Sequence, residues 1–112
     1  MFRTVNIKED NPNVDYAMFL LDDEIRYSKG VGNRVILVIH GHGSHGQGGL
    51  IRQEIRRYLP ELKKKGVITD YVFGDNWGDL NESKKRICEI APELIINSNV
   101  RNINAGVSVV LI

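Results

Sequence analysis

Arg34-Val35-Ile36-Leu37-Val38-Ile39, followed by His40-Gly41-His42-Gly43-Ser44-His45-Gly46-Gln47-Gly48-Gly49, is the part of the chain from which the rest can be placed. Residues 34–39 form a continuous, β-branched apolar run. Such a run has no polar face, so it predicts a central strand covered on both sides. The next ten residues hold all three histidines and five of the eleven glycines. Beyond them, Ile51, Ile55, Tyr58, Leu59 and Leu62 recur at helical spacing. The unit is therefore strand, glycine-rich turn, helix. At a helix N-terminus the first backbone N–H groups lack intrahelical partners and the dipole favours anions. Histidine is the side chain that titrates nearest neutral pH. Together these predict an oxyanion or phosphate site with acid–base chemistry.

Working outward, residues 2–8 alternate apolar and polar, which predicts a strand. Asn11-Pro12-Asn13 is a stop and a helix cap. Val14, Ala17, Met18, Leu21 and Ile25 then recur at three and four, an amphipathic helix ending near Ser28-Lys29-Gly30, with Gly30 and Gly32 as breakers. The helix after the glycine turn starts near Gly49 and contains Pro60, which predicts a kink or an early end. Residues 67–73 read as a third strand and 74–78 as a turn. Residues 79–90 read as a short helix that Pro92 stops, 97–99 and 102–106 as loops, and 107–111 as the last strand. The order β-α-β-α-β-α-β predicts an α/β sandwich whose first three strands run parallel through right-handed crossovers. In such sheets ligands bind beyond the C-terminal ends of strands, where His40 falls.

The 112 residues are 42% hydrophobic and 26% charged, the make-up of one ordinary globular domain. No stretch approaches the ~18 apolar residues of a membrane span, and the N-terminus lacks the apolar core of a secretory signal. One cysteine, Cys88, forms no internal disulfide, which predicts a reducing cytoplasm, and it excludes a cysteine-built zinc site. Net charge is +1, so there is no global basic field. The charge is unevenly spread: residues 1–28 are net acidic, whereas residues 50–65, directly after the glycine turn, are net basic.

Several chemistries compete for the turn. Residues 41–46 match G-x-G-x-x-G, but the turn is too long and the chain too short for a dinucleotide fold. A G-x-x-x-x-G-K-[ST] phosphate loop is absent. Three imidazoles offer metal ligands, yet a glycine loop is a poor platform for them, so no metal is expected. The plain alternative is a tight turn with solvated histidines. Ser44 beside His45 lacks both geometry and an orienting acid for a nucleophile–base pair. Asp75 and Asp79 resemble part of a calcium loop, but Trp77 stands where Asp or Asn is required. Trp77 reads better as core edge than as a stacking platform, and Cys88 as core. Arg52, Arg56 and Lys63 share a helix stripe that either tracks a nucleic-acid backbone or is simply solvated.

Residues 38–43, Val-Ile-His-Gly-His-Gly, followed by Gly48-Gly49-Leu50-Ile51-Arg52, resemble the H-G-x-G … L-R motif of the small MutS-related (Smr) domain family. Ala105-Gly106-Val107-Ser108-Val109-Val110-Leu111 resembles that family's final glycine-rich turn and apolar strand. The resemblance implies a single domain over residues 1–112. Its fold would be an α/β two-layer sandwich with a four-stranded mixed sheet, similar to the C-terminal domain of translation initiation factor three. It implies a nucleic-acid partner, DNA or RNA, branched or structured, no membrane and no cofactor. For several members it also implies phosphodiester cleavage of nicking type, with a link to DNA repair. It casts His40 as the proton-transfer residue. Lys8, Gly41, His42, Gly43, His45, Gly49, Arg52 and Arg56 become the phosphate-binding set, acting through the glycine amides and the basic side chains. The rival classes are a non-catalytic interaction module on the same surface and a small-molecule phosphate enzyme.

Three departures from the family pattern matter. The family's first strand ends in L-D-L-H-G, whereas residues 5–9 read Val-Asn-Ile-Lys-Glu, so Asn6 replaces an aspartate and Lys8 a histidine. The turn is longer over Ser44 to Gly48. Residues 79–104 read as an insertion before the last strand. The first departure predicts binding with weakened cleavage.

Overall fold

The computed structural model describes residues 2–43, 48–78 and 81–112. Its elements are β1 (Arg3–Asn6), α1 (Val14–Val31), β2 (Val35–Ile39), α2 (Gly48–Lys64), β3 (Asp70–Phe73), α3 (Glu82–Ile90) and β4 (Val107–Leu111), with 3-10 turns at Gly74–Asn76 and Pro92–Ile96. The sheet order is β1-β2-β4-β3. β1 and β2 pair in parallel, and β4 runs antiparallel to both of its neighbours. β1, β2 and β3 therefore point the same way, as the sequence predicts. β4 is inserted between β2 and β3, which makes the sheet mixed. The segments that leave β1, β2 and β3, and the one that enters β4, all collect at one edge of the sheet.

Each strand of the centre buries both faces, and the two-residue period sorts them. Ile36, Val38 and Val110 pack with Ala17, Leu21 and Ile25 of α1 and with Ile51, Ile55 and Leu59 of α2. Val35, Leu37, Val109 and Leu111 turn to the other face, against Ile87, Leu94, Val100 and Trp77. The sheet thus has the two long helices on one side and a smaller layer, α3 and its 3-10 extension, on the other. The α/β architecture and mixed sheet agree with the sequence reading, and this thin third layer adds to the two layers expected. It is also what the both-faced apolarity of β2 requires. Burying each such side chain contributes roughly 1.5–3 kcal/mol, so a charged residue at Leu37 would break the fold.

Local signals set the boundaries. Asn13 Oδ1 accepts from Tyr16 N at 2.8 Å and starts α1, and Gly32 at φ +77° ends it. α2 runs through the exposed Pro60 to Lys64. The ring denies the Arg56 carbonyl its helical donor, and Pro60 itself faces solvent. The helix stops at Gly66, φ +77°, with Val67 N bonding Leu62 O at 2.9 Å and Gly66 N bonding Lys63 O at 3.1 Å. That pair is a Schellman cap. It consumes residues 66–68, so β3 begins at Asp70 and not at Val67. Among the described residues no helix is long and apolar enough to cross a membrane.

Candidate functional site

The turn after β2 is stitched to the entry of β4. His40 N and Gly41 N both donate to Gly106 O at 2.9 Å. Gly41 and Gly43 adopt φ of +85° and +97°, conformations that side chains strain to reach. The Gly41 N–H, expected among the phosphate-binding amides, is therefore engaged by the Gly106 carbonyl. Gly49 lies in the first turn of α2, where amides have no intrahelical partner, and Gly43 is exposed beside it. A Cβ on Gly49 would stand 3.5 Å from Gly43 Cα, so the turn folds back against the helix start.

His40 is 2% exposed. Its Nδ1 lies 3.0 Å from Gly41 O and its Nε2 2.9 Å from Ser108 Oγ. A carbonyl only accepts, so Nδ1 carries the hydrogen and Nε2 accepts from the Ser108 hydroxyl. Burial pushes the ring's pKa down to about 4. The bonds to the Gly41 and Val107 carbonyls oppose that shift, and the charges of Arg52 and Arg56 add to it. At neutral pH the ring is neutral with both nitrogens engaged. The sequence offered His40 as a proton-transfer group; in the structure it is a buried strut joining the turn to β4.

His42 is exposed. Its ring covers Gly106, where a Cβ would stand 2.9 Å from Cδ2. Gly106 is needed for that space. Its own N–H bonds Asn104 Oδ1 at 2.8 Å. Lys8 is exposed just past β1, its N–H bonded to Asn6 Oδ1 at 3.0 Å. Because Asn6 pairs with Ile39, Lys8 stands beside the turn. His45 lies outside the described residues.

Arg52 and Arg56, one helical turn apart, converge on Asp75 in the 3-10 turn after β3. Arg56 Nη2 bonds Asp75 Oδ2, and Arg52 Nη2 lies 3.5 Å from the same oxygen. The Arg56 guanidinium also sits 4.5 Å over the Phe73 ring. Burial pushes the Asp75 carboxyl up. The hydrogen bond and charge of Arg56 outweigh that, with help from a backbone N–H and Arg52, and hold it below the usual carboxylate range. Arg52 Nε and Asp75 Oδ1 are buried with no hydrogen-bond partner among the described residues. In the sequence Asp75 reads only as part of a calcium-like loop. Its one usable signal is an acid two residues past the end of a strand that points to the same edge.

Two other candidates fall away from this edge. Lys63 Nζ bonds Asp70 Oδ1 at 3.1 Å, at the opposite end of β3. Trp77 is 3% exposed and packs in the core, closed to stacking by a ligand. Among the described residues no three His, Cys, Asp or Glu side chains are grouped to hold a metal ion.

Comparison with known proteins completes the picture. No curated protein matches the chain. The solved Smr domain of Thermus thermophilus MutS2 shares the fold at a TM-score of 0.56 and 18% identity, over 97% of this chain and 95% of that one. The family model for the Smr domain matches residues 11–73, a span that contains the glycine turn, both arginines and Phe73. The chain therefore belongs to the Smr domain family.

Proposed function

We propose that this domain binds the sugar–phosphate backbone of DNA or RNA along the edge built by Lys8, residues 42–43, the start of α2, and Arg52 with Arg56. The observation that carries the reading is the arginine pair. Two guanidiniums share one carboxylate beside a helix N-terminus, and Arg52 Nε has no partner among the described residues. An excess cation with an unsatisfied donor next to first-turn amides is an anion site. Membership of the Smr family supports nucleic acid as the anion.

Binding outweighs cleavage in this reading. His40 has no open ring nitrogen, and the first-strand aspartate and histidine of the family are Asn6 and Lys8. His40 acts by positioning the turn, and the imidazole that faces a bound phosphodiester is that of His42. The free, half-buried Cys88 suits a reducing, cytoplasmic setting.

The test is a gel-shift panel of single-stranded, duplex and branched DNA and RNA, with product analysis on the same samples. With three or four phosphate contacts, the log–log salt slope is expected near −2 to −4. A salt-insensitive complex, or no complex at low salt, refutes the reading and favours a protein-interaction module.

A further inference from the structure

The chain that enters β4 forms a seam between the turn after β2 and the segment after β3. On one side Gly106 lies under the His42 ring. On the other, a Cβ at Gly74 would stand 1.9 Å from Asn104 O, and one at Gly78 would stand 2.7 Å from Ile103 Cδ1. Past this seam opens a cavity of about 180 Å³, lined by Trp77, Gly78, Lys84, Ile95, Arg101 and Ile103.

The lining is unusual in three respects. Among the described residues the lining carries two cations and no acid, and neither cation has an ion pair there. Lys84 Nζ instead sits 5.4 Å from the Trp77 ring centroid. Its apolar walls, Ile95 and Ile103, are 59% and 54% exposed. Ile103 also holds φ +53°, a conformation that a β-branched residue adopts only at a cost. A strained, exposed isoleucine flanked by two cations is poor design for a free surface. It suits a ligand with an apolar face and anionic flanks.

We propose that this cavity receives the base of an unpaired nucleotide. Ile103 and Ile95 contact the base, and Lys84 and Arg101 meet the phosphates on either side. The inference rests on the nucleic-acid reading above and extends it to a strand that crosses the seam from the His42 turn. A base in a duplex is stacked and paired, so only an unpaired or splayed nucleotide offers its face to such walls.

The test is fluorescence anisotropy of the full chain at low salt, with a thymidine single strand, the same strand carrying abasic sites, and a duplex. The intact strand is expected to bind about fivefold or more tighter than the abasic one. Ile103→Gly tolerates the backbone conformation. It should erase that difference while leaving abasic-strand and duplex binding unchanged. A second variant, Lys84→Gln with Arg101→Gln, lies outside the core and should weaken the single strand more than the duplex. Equal binding of intact and abasic strands by the wild type, or a preference that survives Ile103→Gly, overturns the base site while leaving the phosphate edge standing. No binding of any of the three probes overturns both. An acidic apolar peptide that binds the wild type and is lost in Ile103→Gly, with nucleic-acid binding unaltered, assigns the cavity to a protein partner and overturns the proposal.

Discussion

Each end of β3 carries an aspartate between two cations supplied by helices, and the two clusters close differently. At the start of the strand, the Asp70 side chain is 4% exposed and every contact is made. Oδ1 accepts from Lys63 at 3.1 Å and from Tyr71 N at 2.9 Å, and Oδ2 accepts from Arg86 at 2.8 Å. Past the end of the strand, Asp75 gives one oxygen to both arginines, while Oδ1 and Arg52 Nε remain buried without partners among the described residues. The same ingredients make a finished joint at one end and an unfinished one at the other. Buried polar groups are nearly always paired, so the donor and acceptor left over mark the end of β3 where the proposed phosphate path runs. The difference implies a division of labour: substitutions should cost the fold most where polar groups are saturated, and alter binding most where they are not.

The largest cost is expected at His40, the saturated strut beneath the open end. His40→Ala leaves the Ser108 hydroxyl and the Gly41 carbonyl buried and unpaired and opens a cavity. About 3 kcal/mol of stability should be lost in urea titrations. The pH dependence gives a second handle. The folded ring has a pKa of about 4, against ~6.5 when unfolded, so the unfolded chain binds more protons between those values. Stability present above pH ~6.5 should therefore fall as pH drops toward 4, by about 3 kcal/mol at most. The alanine variant should lose that slope. A wild type equally stable at pH 7 and pH 5 would show that the ring is not held neutral.

Asp70→Asn comes next. Lys63 and Arg86 are half-exposed and can turn to water, so the expected loss is about 1–2 kcal/mol and not that of a fully buried pair. Burial raises the Asp70 carboxyl, but bonds from Ser83, the Tyr71 N–H and Lys63 more than offset it and hold its pKa low. Its contribution is therefore present above the unfolded value near 4 and disappears only below it. The two ends of the molecule should separate on the pH axis, His40 titrating first and Asp70 later. A single acid transition, identical in both variants, would erase the distinction.

What could be read ahead of the structure follows the range of the interactions. The cap at Asn13, the stop at Gly32 and the final strand over Val107–Leu111 are local, and the sequence places them. The start of β3 differs from the sequence expectation because Val67 and Ile68 look like strand while their amides serve the cap of α2. The site was legible as a place and less so as a set of partners. His40 follows a buried strand directly, yet nothing local shows that Ser108, 68 residues away, receives its ring. Arg56 and Asp75, 19 residues apart, meet only because α2 crosses the end of β3. A helix stripe of arginines reads the same whether it is free or paired.

At the unfinished joint the balance should invert. Asp75→Asn removes a carboxylate that is 34% exposed, and a half-buried pair of this kind is worth about 1 kcal/mol to the fold. The change frees one positive charge on Arg52 and Arg56 beside the proposed phosphate path. Affinity for nucleic acid at low salt should rise several-fold, and the salt slope should steepen by about one unit. Unchanged binding with unchanged stability would mean that the arginines serve no anion, and the contrast between the two ends would lose its functional meaning.

The smallest structural effect is expected from Asn6→Asp with Lys8→His, at the first-strand end of the same edge. The Asn6 oxygen accepts the Lys8 N–H, and an aspartate oxygen can accept it equally well. Lys8 is exposed, so its replacement removes no packing. Stability should stay within ~0.5 kcal/mol of wild type. The chemistry changes more than the fold. A lysine ammonium at neutral pH attracts phosphate but has no lone pair with which to take a proton. A histidine steadied by a neighbouring aspartate has one. Exchanging the pair should trade affinity for turnover: phosphodiester cleavage rises while binding weakens slightly or holds, because one fixed positive charge is lost. The readout is product formation at saturating protein, scored against the binding curve of the same sample. Rising cleavage would show that the end of β1 belongs to the reacting site and that this domain's own residues hold it in a binding mode. Flat cleavage with an intact fold and intact binding would place β1 outside the chemistry and leave the edge as a binding surface alone.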